Sequence, residues 1–448
     1  MTDTKNPTGL YQYELVTLNI ISHSGKRINI LSMFSGILIE EDLFSAGMHG
    51  AISINDATGL ADTLPIIGQE KLEIAWKTKG EDIEPIELTF DVISIVGRTK
   101  LKKRMENYTL EFISPEVNVN AKTRVSKSYS GTASDIVSEI FIKDLKSKKR
   151  LTVEPAKHFQ RFVSPHMRPM QVIDNISMGA VSAAVGTSKK MGATYLWYET
   201  TRGFCFQTLE HLFTLDSVKT FSMTPSSVVR DENGLRNIDF ESREIKSFSV
   251  VQSFDTLNKT KEGMYANTTI MHDPINKTIE EYDYNYIRDY ENHSHLEGNI
   301  KSSIISSGSG NSVKSTGGFM CSPYVDEYGM TISDYTKSVI ILHPKATRLW
   351  DDVDSDHSEE WKPKRRPHME QLNSFEVEIS IIGDSEIQVG DVVELLIPTS
   401  DVVEGQANIY SGIMSGRYLV TAITHSLGLT DYSQKLILNK ESLVVPIT

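Results

Sequence analysis

Apolar and polar residues alternate in short runs over the first part of the chain. Residues 36–40, 51–55, 71–76, 87–96 and 108–113 each carry the two-residue period of a half-buried strand. Gly47, Gly50, Gly59, Gly68, Gly80 and Gly97 fall between or beside these runs. Short strands punctuated by turn glycines predict a small β-barrel or sandwich over residues 1–118. The period then changes. Thr132 followed by Asp135 is a capping-box start, and Ile136, Val137, Ile140, Phe141 and Leu145 recur at helical spacing. Pro169 opens a second predicted helix with Val172, Ile173, Ile176 and Val181 on one face. Residues 194–199 and 204–209 form a predicted hairpin about Thr201-Arg202-Gly203. Residues 119–235 therefore read as an α+β middle domain.

From residue 236 the strand pattern returns, at 245–254, 265–272, 375–382, 392–397, 417–424 and 434–438. A polar, tyrosine-rich stretch interrupts it. Residues 306–311 have the composition of a flexible loop. An acidic cluster (Asp351, Asp352, Asp354, Asp356, Glu359, Glu360) is followed by the basic run 362–366, which reads as a solvated linker, with a docking patch as the alternative. The expected division is a second barrel from 236–285 and 372–448, with 286–371 as an insertion. The expected fold class is mainly β, with two similar barrels and an α+β middle domain.

The two β regions resemble each other in order. Residues 47–56 pair with 263–273, and the strand before each, 34–38, pairs with 248–251. Residues 67–74 then pair with 389–396, 90–95 with 418–423 and 108–113 with 433–438. A single match between alternating strands is weak, but the shared order favours a duplicated barrel. Two unrelated β domains are the alternative.

These residues resemble a known family. Ile39-Glu40-Glu41-Asp42-Leu43-Phe44, the run 50–60 and the run 64–70 look like the opening domain of baseplate hub proteins of contractile-tailed bacteriophages, of the T-even type. Residues 383–393 and 415–420 look like the closing domain, and 167–173 like the start of the middle-domain helix. The insertion 286–371 matches no part of the family. The resemblance implies two tube-like barrels per chain and a homotrimer with six barrels. That pseudo-sixfold ring would join a sixfold tail tube to a threefold central spike, beside other baseplate proteins, in a virion assembled in the host cytoplasm. It implies no cofactor, no metal and no catalysis.

Charge and chemistry change this picture little. The formal net charge of −13 argues against a nucleic-acid grip, so genomic DNA is expected to pass through the lumen without specific binding. No run approaches the ~18 apolar residues of a membrane span, and the polar start of the chain does not read as a secretory leader. Cys205 and Cys321 lack metal or redox spacing and are expected to be free thiols. His293 and His295 near Asp289 and Glu291 read as a chance cluster, and His425 as a loop or barrel-end residue. Glu40, Glu41 and Asp42 could supply a glycosidase carboxylate pair, but neighbours on a strand point to opposite faces, and a solvated edge is expected. Leu43, Phe44 and Met48 are candidates for a subunit contact, with ordinary core packing the slightly favoured alternative. Two alternatives to the hub are a tail-associated peptidoglycan hydrolase and the hub-like module of a contractile secretion spike. The hydrolase requires a catalytic motif not found in the sequence. The spike module would be expected to continue into a β-helix, and none is expected after the last barrel strand.

Overall fold

A computed structural model describes residues 13–64, 66–78, 84–102, 105–183, 192–223, 242–253, 255–274, 276–289, 292–297, 326–345, 358–399 and 410–441. The first barrel contains β1 (Tyr13–Ile21), β2 (Arg27–Asn29), β3 (Phe34–Asp42), β4 (His49–Asp56), β5 (Lys71–Thr78), β6 (Ile86–Lys102) and β7 (Met105–Ile113). Its ladder runs β3-β4-β7-β6-β5-β1-β2. Alternate residues point inward, so Ile37, Ile39, Ile52, Ile54, Leu72, Ile74, Phe90, Leu110 and Phe112 fill one core. β1 and β2 lie outside the strands expected from sequence. Gly50 on β4 has no room for a side chain: a Cβ there would sit 2.3 Å from the Leu38 carbonyl oxygen and 2.6 Å from the Phe112 ring.

The middle domain begins with the helix Pro115–Lys122. β8 (Ser128–Thr132) pairs with β10 (Phe159–Val163), while β11 (Tyr195–Thr200), β12 (Gly203–Thr208) and β9 (Leu151–Val153) form a second sheet. Thr132 caps the helix Ala133–Glu139 through a capping box with Asp135, and a π-helical turn follows over Ile140–Asp144. Pro169 opens the helix Pro169–Met178, which buries Val172, Ile173 and Ile176. Val181 is also buried, but beyond the helix end.

Five strands of the first barrel have counterparts in the second. β19 (Val392–Leu396) takes the place of β5, β20 (Gly416–Leu427) of β6, β21 (Tyr432–Lys440) of β7, β18 (Phe375–Ile382) of β4, and β14 (Ser247–Ser253) of β3. The match extends to irregularities. Val92 and Val420 each donate their N–H, at 2.9 Å, to the carbonyl of an acidic residue, Glu70 and Asp391. The next residue, Ile93 or Thr421, is bulged out of the ladder in both barrels.

Three expectations are corrected. The strand at 265–272 is β15 (Ala266–Asp273), which pairs with β16 (Thr278–Asn285) and β17 (Ile340–Pro344) in a sheet of its own. The counterpart of β4 is β18, because β18 lies against β21 as β4 lies against β7. The expected match of 108–113 with 433–438 is one residue out of step: Val92 faces Phe112 and Val420 faces Leu438. The sixth strands also differ in direction. β1 is antiparallel to β5, whereas β13 (Ser217–Ser222) is parallel to β19. A bridge from Ser222 to Glu244 joins the end of β13 to the start of β14's segment.

The segment between β14 and β18 therefore carries its own sheet, beginning before residue 286. The expected solvated linker is also corrected in part. Its basic run lies in the helix Ser358–Leu372, which contains Pro363 and Pro367 and buries Trp361, His368, Gln371 and Leu372. Residues 306–311, Asp351, Asp352, Asp354, Asp356 and Cys321 lie outside the described residues. Among the described residues no helix is long and apolar enough to cross a membrane.

Candidate assembly site

The two barrels are joined edge to edge. β20 is long enough to serve both: Gly416 to Leu419 pair with β19, and Ala422 to Leu427 pair with Asp42 to Ile37 of β3. The bulge at Thr421 divides these halves, and its carbonyl accepts the Leu43 N–H at 2.8 Å. One 13-stranded sheet results. Each barrel also lends residues to the other's core. Leu43 packs among Val377, Val389, Val420 and Ile423, while Leu427 and Tyr432 pack among Ile37, Ile39 and Trp76. The Tyr13 hydroxyl donates to the Gly428 carbonyl, and the Thr78 and Ser385 hydroxyls lie 2.8 Å apart.

A buried polar network crosses this seam. Glu41 Oε1 lies 2.8 Å from His425 Nε2, and His425 Nδ1 lies 2.8 Å from the Tyr432 hydroxyl. Gln434 fixes the proton positions. Its Oε1 accepts the Asp384 N–H, so its amide nitrogen faces the Tyr432 hydroxyl at 3.0 Å and His425 Nδ1 at 3.3 Å. With Nδ1 accepting, the ring donates its Nε2–H to Glu41. Glu41 Oε2 also accepts the Val389 N–H at 3.4 Å. Burial pushes the Tyr432 hydroxyl well above its ordinary pKa. The edge of the Trp76 ring meets His425 at 5.9 Å between centroids.

These contacts correct the readings of His425 and Glu41. His425 is completely buried in the middle of the sheet, not at a barrel end, and Glu41 is only 1% exposed. Glu40 points to the opposite face, where it pairs with His49 at 2.9 Å. The two carboxylates cannot flank one substrate bond. The signal for Glu41 was an acidic residue at an inward position of an alternating strand, which demands a buried donor.

The three candidate contact residues separate. Leu43 is wholly buried in the second barrel's core and Met48 in the first barrel's, so neither is free to meet another subunit. Phe44 is 47% exposed, on a turn held by its own N–H donating to Asp42 Oδ1 at 2.8 Å. The middle domain grips the same turn. Glu199 accepts the Met48 N–H at 3.0 Å and pairs with Lys149 at 2.5 Å, and Lys149 reaches Glu116 at 2.8 Å. Burial raises the Glu199 carboxyl despite Lys149. Burial would lower the Lys149 ammonium, but the charges of Glu199 and Glu116 outweigh it and the net shift is upward.

The inserted segment is anchored by buried charges. Arg365 donates to the carbonyls of Ser177 and Ala193 at 3.0 Å and of Tyr195 at 3.2 Å, and His368 Nδ1 lies 2.7 Å from Glu210. His295 Nδ1 lies 2.9 Å from Glu441, and the His293 ring packs edge-on against His368. The histidine cluster is thus divided between two anchors. Glu291 lies outside the described residues, and among those described no group of three metal-ligating side chains is present. Cys205 is a free, half-buried thiol.

No family model matches this sequence, and no curated protein matches it. Solved structures do. The tail protein from Neisseria meningitidis MC58 aligns over 96% of this chain and 97% of its own, with a TM-score of 0.52 at 11% identity. The 43 kDa tail protein of prophage MuSo2 from Shewanella oneidensis aligns over 95% of this chain and 98% of its own, also with a TM-score of 0.52, at 9% identity. The chain shares the fold of these two proteins. At these identities the likeness is one of architecture, and it covers both barrels, the middle domain and the inserted segment together.

Proposed function

We propose that this chain is a structural virion protein, the hub of a contractile-tail baseplate. Three copies form a pseudo-sixfold ring that joins the sixfold tail tube to the threefold central spike. The observation that carries this reading is the duplicated five-strand ladder, with its matching bulges, joined side by side in one chain. A trimer of such chains offers six similar barrel units to a sixfold partner while keeping true threefold symmetry for another. The full-length likeness to two tail proteins supports the same reading. Its partners are the spike, the tube and other baseplate proteins. With a net charge of −13, it lets DNA pass through the lumen unbound. The reading is non-enzymatic, supported by the separation of Glu40 from the sealed Glu41.

Negative-stain electron microscopy with sedimentation tests the proposal. The expected result is a ring of three chains with six lobes. A particle that stays monomeric at high concentration overturns it. Release of muropeptides from purified cell wall favours the hydrolase reading instead.

A further inference from the structure

The seam inside the chain has two members, the outer edge of β3 and the second half of β20. Each has a counterpart in the other barrel, and both counterparts are open among the described residues. β14, which corresponds to β3, pairs only with β18 among the described residues. β6 corresponds to β20. Its pairing with β5 ends at Asp91, the Val92 N–H still reaches the Glu70 carbonyl, and past that point β6 pairs only with β7 among the described residues. The open part of β6 exposes Ile93, Val96 and Leu101, and β14 exposes Val250 and Val251. β14 reads Ser-Phe-Ser-Val-Val-Gln-Ser, without a charge or a proline. An edge this undefended invites another strand.

We propose that a second copy of this chain covers these edges: β14 of one copy adds antiparallel to β6 of the next and repeats the internal seam. This rests on the hub reading and names the contact that closes its ring. The register follows from the ladders. β14 meets β18 as β3 meets β4, so Phe248, Ser249, Val250 and Gln252 stand where Ile37, Leu38, Ile39 and Glu40 stand. β6 meets β7 as β20 meets β21, so Ile95, Val96 and Thr99 stand where Ile423, Thr424 and Ser426 stand.

Glu40 faces Thr424 in the seam, so Gln252 faces Val96 between copies; Leu38 faces Ser426, so Ser249 faces Thr99. Between these pairs β14 carries one more residue than β3, and β6 carries one more than β20. The two extra residues fall opposite each other, and the register stays in step on both sides. An insertion in only one strand would break the repeat. Because each copy presents one edge of each kind, the contact is head-to-tail and can close a ring.

The test uses full-length protein with Cys205→Ser and Cys321→Ser. Facing residues on antiparallel strands lie within disulfide reach. Under mild oxidation, Val96→Cys mixed with Gln252→Cys should give a disulfide-linked dimer. The double variant should give a linked trimer, and either single variant alone should give nothing. As a second measurement, Val250→Asp in otherwise wild-type protein should weaken association at least roughly tenfold, with unchanged melting of the isolated chain, because it buries a charge only in the assembly. Self-crosslinking of a single variant overturns the proposal. So does a wild-type trimer that neither crosslinks nor responds to Val250→Asp; in that case the hub reading stands and this contact falls. Absence of any trimer overturns both.

Discussion

Replacing Glu41 with leucine strands two buried donors, His425 Nε2–H and the Val389 N–H, at the seam between the barrels. Removing one partner of a buried hydrogen bond costs about 1–3 kcal/mol for each group left unsatisfied, and more where that group is a carboxylate, because the stranded group cannot reach water. Glu41→Leu should therefore lose about that much stability. His425→Phe should lose a similar amount, because it leaves the Glu41 carboxylate with only the long Val389 contact. The double variant removes both polar groups and leaves an apolar pair among Ile37, Ile39, Leu427 and Trp76. Its loss should fall short of the sum of the two single losses by at least about 2 kcal/mol. Urea titration followed by tryptophan fluorescence measures this, and Trp76, 5.9 Å from the His425 ring, reports locally. Losses that add to within about 0.5 kcal/mol would refute the coupling.

Leu43→Ala should cost about 2–5 kcal/mol in the same titration, because Leu43 is fully enclosed. Phe44→Ala should change the stability of the isolated chain by less than about 0.5 kcal/mol, and any loss should be seen in sedimentation of the assembly instead. Asp391 supplies a pH dependence. Burial pushes its carboxyl up to about 6, so its ionisation penalises the folded state fully above that pH, and the penalty is relieved as pH falls towards the unfolded value near 4. Asp391→Asn should therefore raise stability relative to wild type at pH 7, by no more than about 3 kcal/mol, and the gain should vanish near pH 4 in paired urea titrations.

β4 and β18, each with one face buried and the other wetter, were legible, whereas β1, which alternates as well, was not read as a strand. Period alone does not say which strand is the neighbour. β15 was expected to match β4, yet it belongs to another sheet and is buried at nearly every position. The one-residue misalignment of β7 with β21 did show in the pattern: it sets Leu110 against Lys435 and Glu111 against Leu436, whereas the observed ladders set Leu110 against Leu436. The helix Ser358–Leu372 was hidden by two prolines and by charges that pair after folding; Arg365 reads as a linker residue until three carbonyls are placed around it. At the seam, the acidic triple was visible but its partner was not. His425 lies 384 residues from Glu41, and no local motif connects them.

That separation orders events during synthesis. At about 5–20 residues per second, the ribosome needs roughly 20–80 s to reach His425 after Glu41 has emerged. For that interval the first barrel can assemble its ladder while the outer edge of β3 waits for a strand not yet made. An unpaired edge on a nascent chain is a hazard to every other copy being translated nearby. The three carboxylates of Glu40, Glu41 and Asp42 sit on that edge and repel a premature partner. Once β20 arrives, its histidine receives the inward-facing one. The charge that guards the growing chain becomes the latch of the finished one.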